Sequence, residues 1–413
     1  MNIMREESNI LKVIDKHMER VLPKDWWKDV KDLRYGKNQD WNLAYVLEVL
    51  LAGALSASKT LREVETLSEM YAQRIPDTTL HDIMLKIDPE GLRKVLADGV
   101  KQALREHELA AEDFPLRIIA IDGKYNYSTK IPVNEFSEAI EGGGKGELYR
   151  HMALRAMIVS CETKLYLGQH EIKSKGSETE SLIDFVDQLL ANYGRTDLLE
   201  VISVDAGMVS KKNAQELIDR LLNYIMAVKG SQPMLLKEAE NLFMKADPDR
   251  VTVEIYNGNQ VTRKLTRKPA PEIESWSHAK EFWKIETTVI APNGDEVSRD
   301  LRYFITSLAP SKLSNSQAMA AIRMHWGIEN NGNWCFDVLW KEDSAPWTSR
   351  AMVLVSYLRM LAFNIIQRLK TRRFKAQQNR SLAWKDLFAY FKQALLSFRQ
   401  VAEACGTAVP AFL

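Results

Sequence analysis

The chain has 413 residues, too many for one ordinary hydrophobic core, so two or three packed units are expected. Hydrophobic residues make up 46% and charged residues 27%, which is the balance of a folded globular protein and excludes a disordered chain. With 56 Lys and Arg against 55 Asp and Glu, the net charge is +1, so any case for a polyanionic partner rests on local clusters.

In chain order, residues 1–112 read as a helical N-terminal domain, with apolar residues dominating Trp41–Ser58 and leucines and valines at helical spacing over Pro89–His107. Lys24, Lys28, Lys31, Arg34 and Lys37 offer a candidate edge for binding DNA ends, although Asp25, Asp29 and Asp32 are interleaved as on a solvated face. From residue 113 to 246 the texture changes. LRIIAID, HMALRAMIVSC and KLYLGQHEI read as three strands without intervening helices. Ser177–Asn192 is then helical, LLEVISVD is a strand, KKNAQELIDRLL is helical, and NYIMAVKG is a strand again. This alternation implies an α/β domain whose sheet is mixed and covered.

Residues 247–301 read as a β-rich insertion, with turns at Asn257-Gly258 and Asn293-Gly294. Residues 302–370 return to the core, with helical patterning from Ser314 that includes the helix of Glu329, and 371–413 form a helical tail. The run QRLKTRRFKAQQNR contains no acid, which makes Arg372 and Arg373 candidates for phosphate contact. Cys161, Cys335 and Cys405 lie far apart with no metal-ligand spacing, so neither a disulfide framework nor a structural zinc site is expected. The N-terminus lacks the apolar core of a signal peptide, and the apolar stretch Ala351–Ile366 is interrupted by Ser356, Arg359 and Asn364. These features suggest a cytoplasmic, nucleoid-associated protein with no membrane partner.

Two segments rhyme: RIIAIDGK ends a buried strand at Asp122, and EVISVDAG ends another at Asp205. Two carboxylates at neighbouring strand ends repel each other unless a cation lies between them, and Mg²⁺ takes a few carboxylate oxygens plus water and phosphate. A third acid is therefore expected nearby, either Glu329 or Glu342. Ile322, His325, Trp326 and Glu329 share one face at helical spacing, whereas Glu342 lies beyond Asn330, Asn331 and Gly332, which disfavour a continuing helix.

IAIDGK, ISVDAG, YIMAVKGSQ, a β-rich stretch and HWGIENNGNWCFDVLWKED, in that order, resemble the DDE transposases of bacterial insertion sequences, most of all the H-repeat-associated type. The resemblance covers nearly the whole chain, and HWGIEN is its most specific part. It implies an RNase H-like mixed-sheet core interrupted by a β-rich insertion, with a helical N-terminal domain and C-terminal helices. It also implies Asp122, Asp205 and Glu329 as ligands of two Mg²⁺ ions, with Mn²⁺ as a substitute. The wider family carries a Tyr, an Arg and a Lys around this Glu. Here those positions are Ile322, His325 and Phe336, leaving His325 and Arg323 as stand-ins for grasping phosphate, with Arg350 further on.

Lys124 and Lys229 follow core strands and could reach phosphates near the metals. Trp276 and Trp283 in the insertion are candidates for stacking a flipped base, as in related hairpin-forming transposases, or are insertion-core aromatics. The expected function is metal-dependent cleavage at transposon ends and strand transfer into target DNA by a homodimer that pairs two terminal inverted repeats. A non-catalytic DNA-binding descendant and a simple RNase H-like nuclease are the alternatives.

Overall fold

The computed structural model describes residues 2–404 apart from 24, 36–40, 72, 111–113, 142–145, 195–197, 272–275, 277 and 344–350, with only the backbone described for 2–7 and 397–404. Five N-terminal helices lead: α1 (Asn2–Val21), α2 (Leu43–Leu55), α3 (Leu61–Tyr71), α4 (Asp77–Met84) and α5 (Glu90–Arg105). Helix α2 starts where Asn42 accepts the Ala44 N–H at 2.8 Å, and nearly every side chain in it is buried. It packs against α10 (Met352–Arg368) and α12 (Trp384–Ala404), so the first and last parts of the chain share one core. By length and composition α10 could cross a membrane, but 89% of its apolar window is buried inside the protein, as in a central core helix.

Ten strands form one mixed sheet: β1 (Ile118–Thr129), β2 (Glu138–Glu141), β3 (Glu147–Ile158), β4 (Leu165–Ile172), β5 (Val201–Val204), β6 (Asn223–Val228), β7 (Arg250–Tyr256), β8 (Asn259–Pro269), β9 (Glu281–Ile290) and β10 (Glu296–Thr306). Their order is β2-β3-β1-β5-β6-β10-β9-β8-β7, with β4 also pairing β3. β1, β5 and β6 run parallel, while β3 and β10 are antiparallel to their inner neighbours. This is the mixed sheet that the alternation of strands and helices implied, in the RNase H-like form that the family resemblance implied.

Alternate residues supply two cores. Ile119, Ile121, Ile202, Val204, Tyr224 and Met226 face α6 (Glu178–Tyr193), α7 (Lys211–Asp219) and α8 (Pro233–Phe243). Ile118, Ala120, Val201 and Ile225 face the side of α9 (Asn315–His325) and α10. The β-rich segment is continuous with the core: β10 pairs β6 through Tyr303↔Val228 to Thr306↔Ile225, so β7–β10 lengthen the same sheet. Short α11 (Gln377–Arg380) precedes α12.

Candidate active site

β1 does not end at Asp122. Antiparallel pairing with β3 carries it to Thr129, and Asp122 sits opposite Arg155 in mid-strand. On its other edge the parallel partner β5 stops at Val204, opposite Ile121, so Asp205 leaves the sheet beside Asp122. The site therefore opens where one strand runs on and its neighbour turns away.

Asp205 is followed by a 3₁₀ turn over Ala206–Met208. Burial acts to raise its pKa, but the Ala206 N–H and the Lys229 ammonium outweigh this and hold it below the usual carboxylate range. Lys229 Nζ lies 3.3 Å from Asp205 Oδ1, and both side chains are about half exposed, so the pair is a weak tether. Asp122 is pushed up to about 7, by burial first and then by the neighbouring charges of Glu329, Glu178 and Asp205.

Glu329 arrives on an unexpected element. Helix α9 opens with a capping box between Ser314 and Gln317 and ends at His325. The chain then continues through π-helical segments, Ile328–Asn333 and Cys335–Leu339. Asn330, Asn331 and Gly332 thus widen the helix where the sequence suggested a break. Gly332 permits this turn to press on the sheet, since a Cβ there would lie 2.4 Å from the Tyr166 hydroxyl oxygen and 2.5 Å from Met157 Cε. The Tyr166 hydroxyl donates to Asn333 Oδ1 at 3.1 Å, and Asn333 Nδ2 donates to Asp122 Oδ2 at 3.2 Å. Lys124 adds a second tie from β1, pairing with Asp337 and, at 3.6 Å, with Asp343. The π turn, a frequent feature of functional sites, thereby brings Glu329 within electrostatic reach of Asp122 and Asp205. Burial and Asp205 raise the Glu329 pKa, while Arg302 and Lys229 counter them.

Glu342, the other candidate third acid, is enclosed in the core at 4% exposure. It lies 2.7 Å from Arg155 Nη2 and 3.8 Å from Arg359 Nη1. Burial acts to lower the Arg155 pKa, but the adjacent Glu342 carboxylate more than offsets it. Phe336, at the position where the wider family has a Lys, is fully buried, with the Arg155 guanidinium 4.4 Å from its ring centre. Ile322 is likewise core.

The remaining candidates fall into two groups. Lys229 and Arg323 are about half exposed, and the nearest acid to Arg323 is Glu254 at 3.8 Å. The others have structural surroundings. His325 is buried and paired through Nδ1 with Ser203 Oγ at 3.0 Å, and burial lowers its pKa to about 4, so it is neutral and braces α9 against β5. Trp283 is fully buried and donates to Glu281 Oε2 at 3.1 Å, and Trp276 packs edge-on against Tyr224.

Arg372 donates to Glu108 O at 3.0 Å and Thr163 Oγ1 at 2.9 Å, and Arg373 pairs with Glu106 and Glu108. Beside them Arg368 is buried against Glu108 at 2.6 Å, so the acid-free run finds its acids just after α5. At the N-terminal edge Arg34 is buried and bound to Asp32. Arg350, Lys24 and Lys37 lie outside the described residues.

Sequence reasoning missed Glu178, Asn333 and Arg302. Arg302, on β10, lies over the Trp326 ring at 4.6 Å, near Glu329. A charge pattern along the chain could not reveal any of the three, because each meets the aspartates or Glu329 only through the fold.

Among the described residues no three His, Cys, Asp or Glu side chains form a ready-made metal cluster. The chemistry of the donors nonetheless fits a hard divalent cation. Asp122, Asp205 and Glu329 present oxygen ligands, and burial together with the repulsion of neighbouring carboxylates raises the Asp122 and Glu329 pKa values, a cost that an ion between them would relieve.

Residues 113–365 match the family described as "Transposase DDE domain". Over 375 residues the chain is 24% identical to "Putative transposase YncI" of Escherichia coli O157:H7, covering 84% of this chain and 87% of that protein. It is also 26% identical over 232 residues to "H repeat-associated putative transposase YhhI" of Escherichia coli K12, covering 53% of this chain and 58% of that protein.

Proposed function

The chain belongs to the DDE-domain transposases, and on that premise we propose that it cuts double-stranded DNA at transposon ends and joins them to target DNA at a centre made of Asp122, Asp205 and Glu329. The charges of Glu329 and Asp205 felt at Asp122, with the three acids arriving from a running strand, a strand end and a π-helical turn, carry the reading. Members of the family generally use divalent metal ions, and Mg²⁺, two ions in the full site or Mn²⁺ in their place, would supply Lewis-acid stabilisation of the attacking and leaving oxygens in an in-line displacement.

The chain's own part is to hold these oxygens in position. Asn333 fixes one oxygen of Asp122, and neutral His325 keeps α9 on β5 without adding a charge beside Asp205. Lys229, tethered weakly at the rim, is able to turn from Asp205 to a phosphate, with Arg302 as a further cation near Glu329 and Arg323, beside Glu254, as a cation for DNA further out. Pairing of two terminal inverted repeats assigns the work to a homodimer at the cytoplasmic nucleoid.

The test is a purified reaction containing Mg²⁺, a target plasmid and a linear fragment ending in the DNA that flanks this gene. Nicks at the end sequence followed by joined products are expected. Cleavage without joining would make the protein a simple nuclease, and binding without cleavage a non-catalytic descendant.

A further inference from the structure

Helix α6 begins at Glu178, whose side chain turns back towards the two aspartates. The residue is 6% exposed, yet among the described residues its carboxylate accepts no hydrogen bond and makes no ion pair. Its position is defined by two glycines. A Cβ at Gly123 would lie 2.0 Å from Glu178 Oε1, and one at Gly207 would lie 2.7 Å from Oε2. Gly123 follows Asp122 directly, and Gly207 stands two residues after Asp205. The carboxylate therefore lies between the two aspartate-bearing segments, in room that exists only because both neighbours lack a side chain.

The placement is rigid. Thr179 Oγ1 donates to Gly207 O at 2.6 Å, and Asn213 Nδ2 donates to Thr179 O at 2.8 Å, fastening the start of α6 to the turn after Asp205. A buried carboxylate with no hydrogen bond beside two more carboxylates is costly; the exposed Lys175 offsets part of that cost, and a cation held between the acids would offset the rest.

Resting on the proposed function, we propose that Glu178 is a fourth carboxylate of the metal site, holding a divalent cation together with Asp122 and Asp205. Glu178 fixes the cation on the α6 side, opposite the side from which Glu329 arrives. The glycines of the Asp-Gly and Asp-Ala-Gly segments serve to admit it.

The experiment is titration of the full-length protein with Mn²⁺, followed by the loss of the free-ion paramagnetic resonance signal, without DNA. Glu178→Gln should weaken Mn²⁺ binding about 10-fold or more, Asp122→Asn should weaken it at least as much, and Glu180→Gln, on the exposed side of the same turn, should not change it. If Glu178→Gln does not fold, Gly207→Ala, which displaces the carboxylate without removing it, should give the same weakening. Wild-type affinity in Glu178→Gln, or in Gly207→Ala where that is the variant used, with loss in Asp122→Asn, overturns the role of Glu178 and leaves the proposed centre standing. Wild-type affinity in both Glu178→Gln and Asp122→Asn overturns the two together.

Discussion

Replacing Glu342 by Gln should unfold or severely weaken the protein, whereas the same change at Glu329 should leave it folded. Glu342 is 4% exposed and neutralises Arg155, itself fully buried, at 2.7 Å, with the buried Arg359 3.8 Å from the same oxygen. Burial already pulls Arg359 down to about 10. Removing this carboxylate takes the counter-charge from the buried Arg155, and breaking a buried pair from one side typically costs about 3–5 kcal/mol. That is a large share of a total stability of roughly 5–15 kcal/mol. Gln retains an acceptor for Arg155, so the lower end of the range is expected. At Glu329 the charge is disfavoured by burial and by Asp205, so neutralising it relieves repulsion and should hold or slightly raise stability. Urea unfolding of both variants in EDTA, followed by tryptophan fluorescence, gives the comparison. A Glu342→Gln cost below about 1 kcal/mol, or an equal loss for Glu329→Gln, would refute the assignment of one acid to the core and the other to the site.

Arg373→Ala should reduce thermal stability through the lost pairs with Glu106 and Glu108, and leave the salt dependence of DNA binding unchanged; a slope shallower by about one unit would return this residue to a phosphate. Trp283→Ala should cost about 3–5 kcal/mol by emptying a fully buried site, and DNA lacking a base at the transposon end should not restore cleavage, whereas rescue on that DNA would assign Trp283 to stacking. Asp122 has a folded pKa near 7 against 3.8 for the free group, so its cost to stability is absent at low pH, grows as pH rises, and is complete above 7. In EDTA the wild type should therefore lose about 2–4 kcal/mol relative to Asp122→Asn between pH 4 and pH 8, and Mg²⁺ should close the gap; parallel unfolding curves across that range would contradict this.

The sheet was legible in the chain because buried strands are short apolar runs bounded by polar turns, and each aspartate comes directly after four buried residues, Ile118 to Ile121 and Val201 to Val204. Three features were not, each for its own reason. The antiparallel partner that extends β1 past Asp122 is a long-range pairing with no mark in the local pattern. The π-helical turn at Ile328–Asn333 is set by Gly332 pressing on Tyr166 and Met157, so Asn-Asn-Gly read as a helix end in the absence of that contact. The acid-free run looked like a phosphate-binding strip because its partner Glu108 is 260 residues from Arg368 in sequence. Glu178 illustrates the same limit in the site itself: its chain neighbours are ordinary helix-start residues, and only the fold sets it beside Gly123 and Gly207.

The most direct measurement is Mg²⁺-dependent nicking of end-labelled DNA carrying the sequences that flank this gene, comparing wild type with Asp122→Asn, Asp205→Asn, Glu329→Gln and the exposed control Glu180→Gln. Each of the three substitutions in the centre should abolish nicking while the protein stays folded and still binds the DNA, and Glu180→Gln should cut as the wild type does. Normal nicking by any one of the three centre variants would contradict a reaction centre built from Asp122, Asp205 and Glu329.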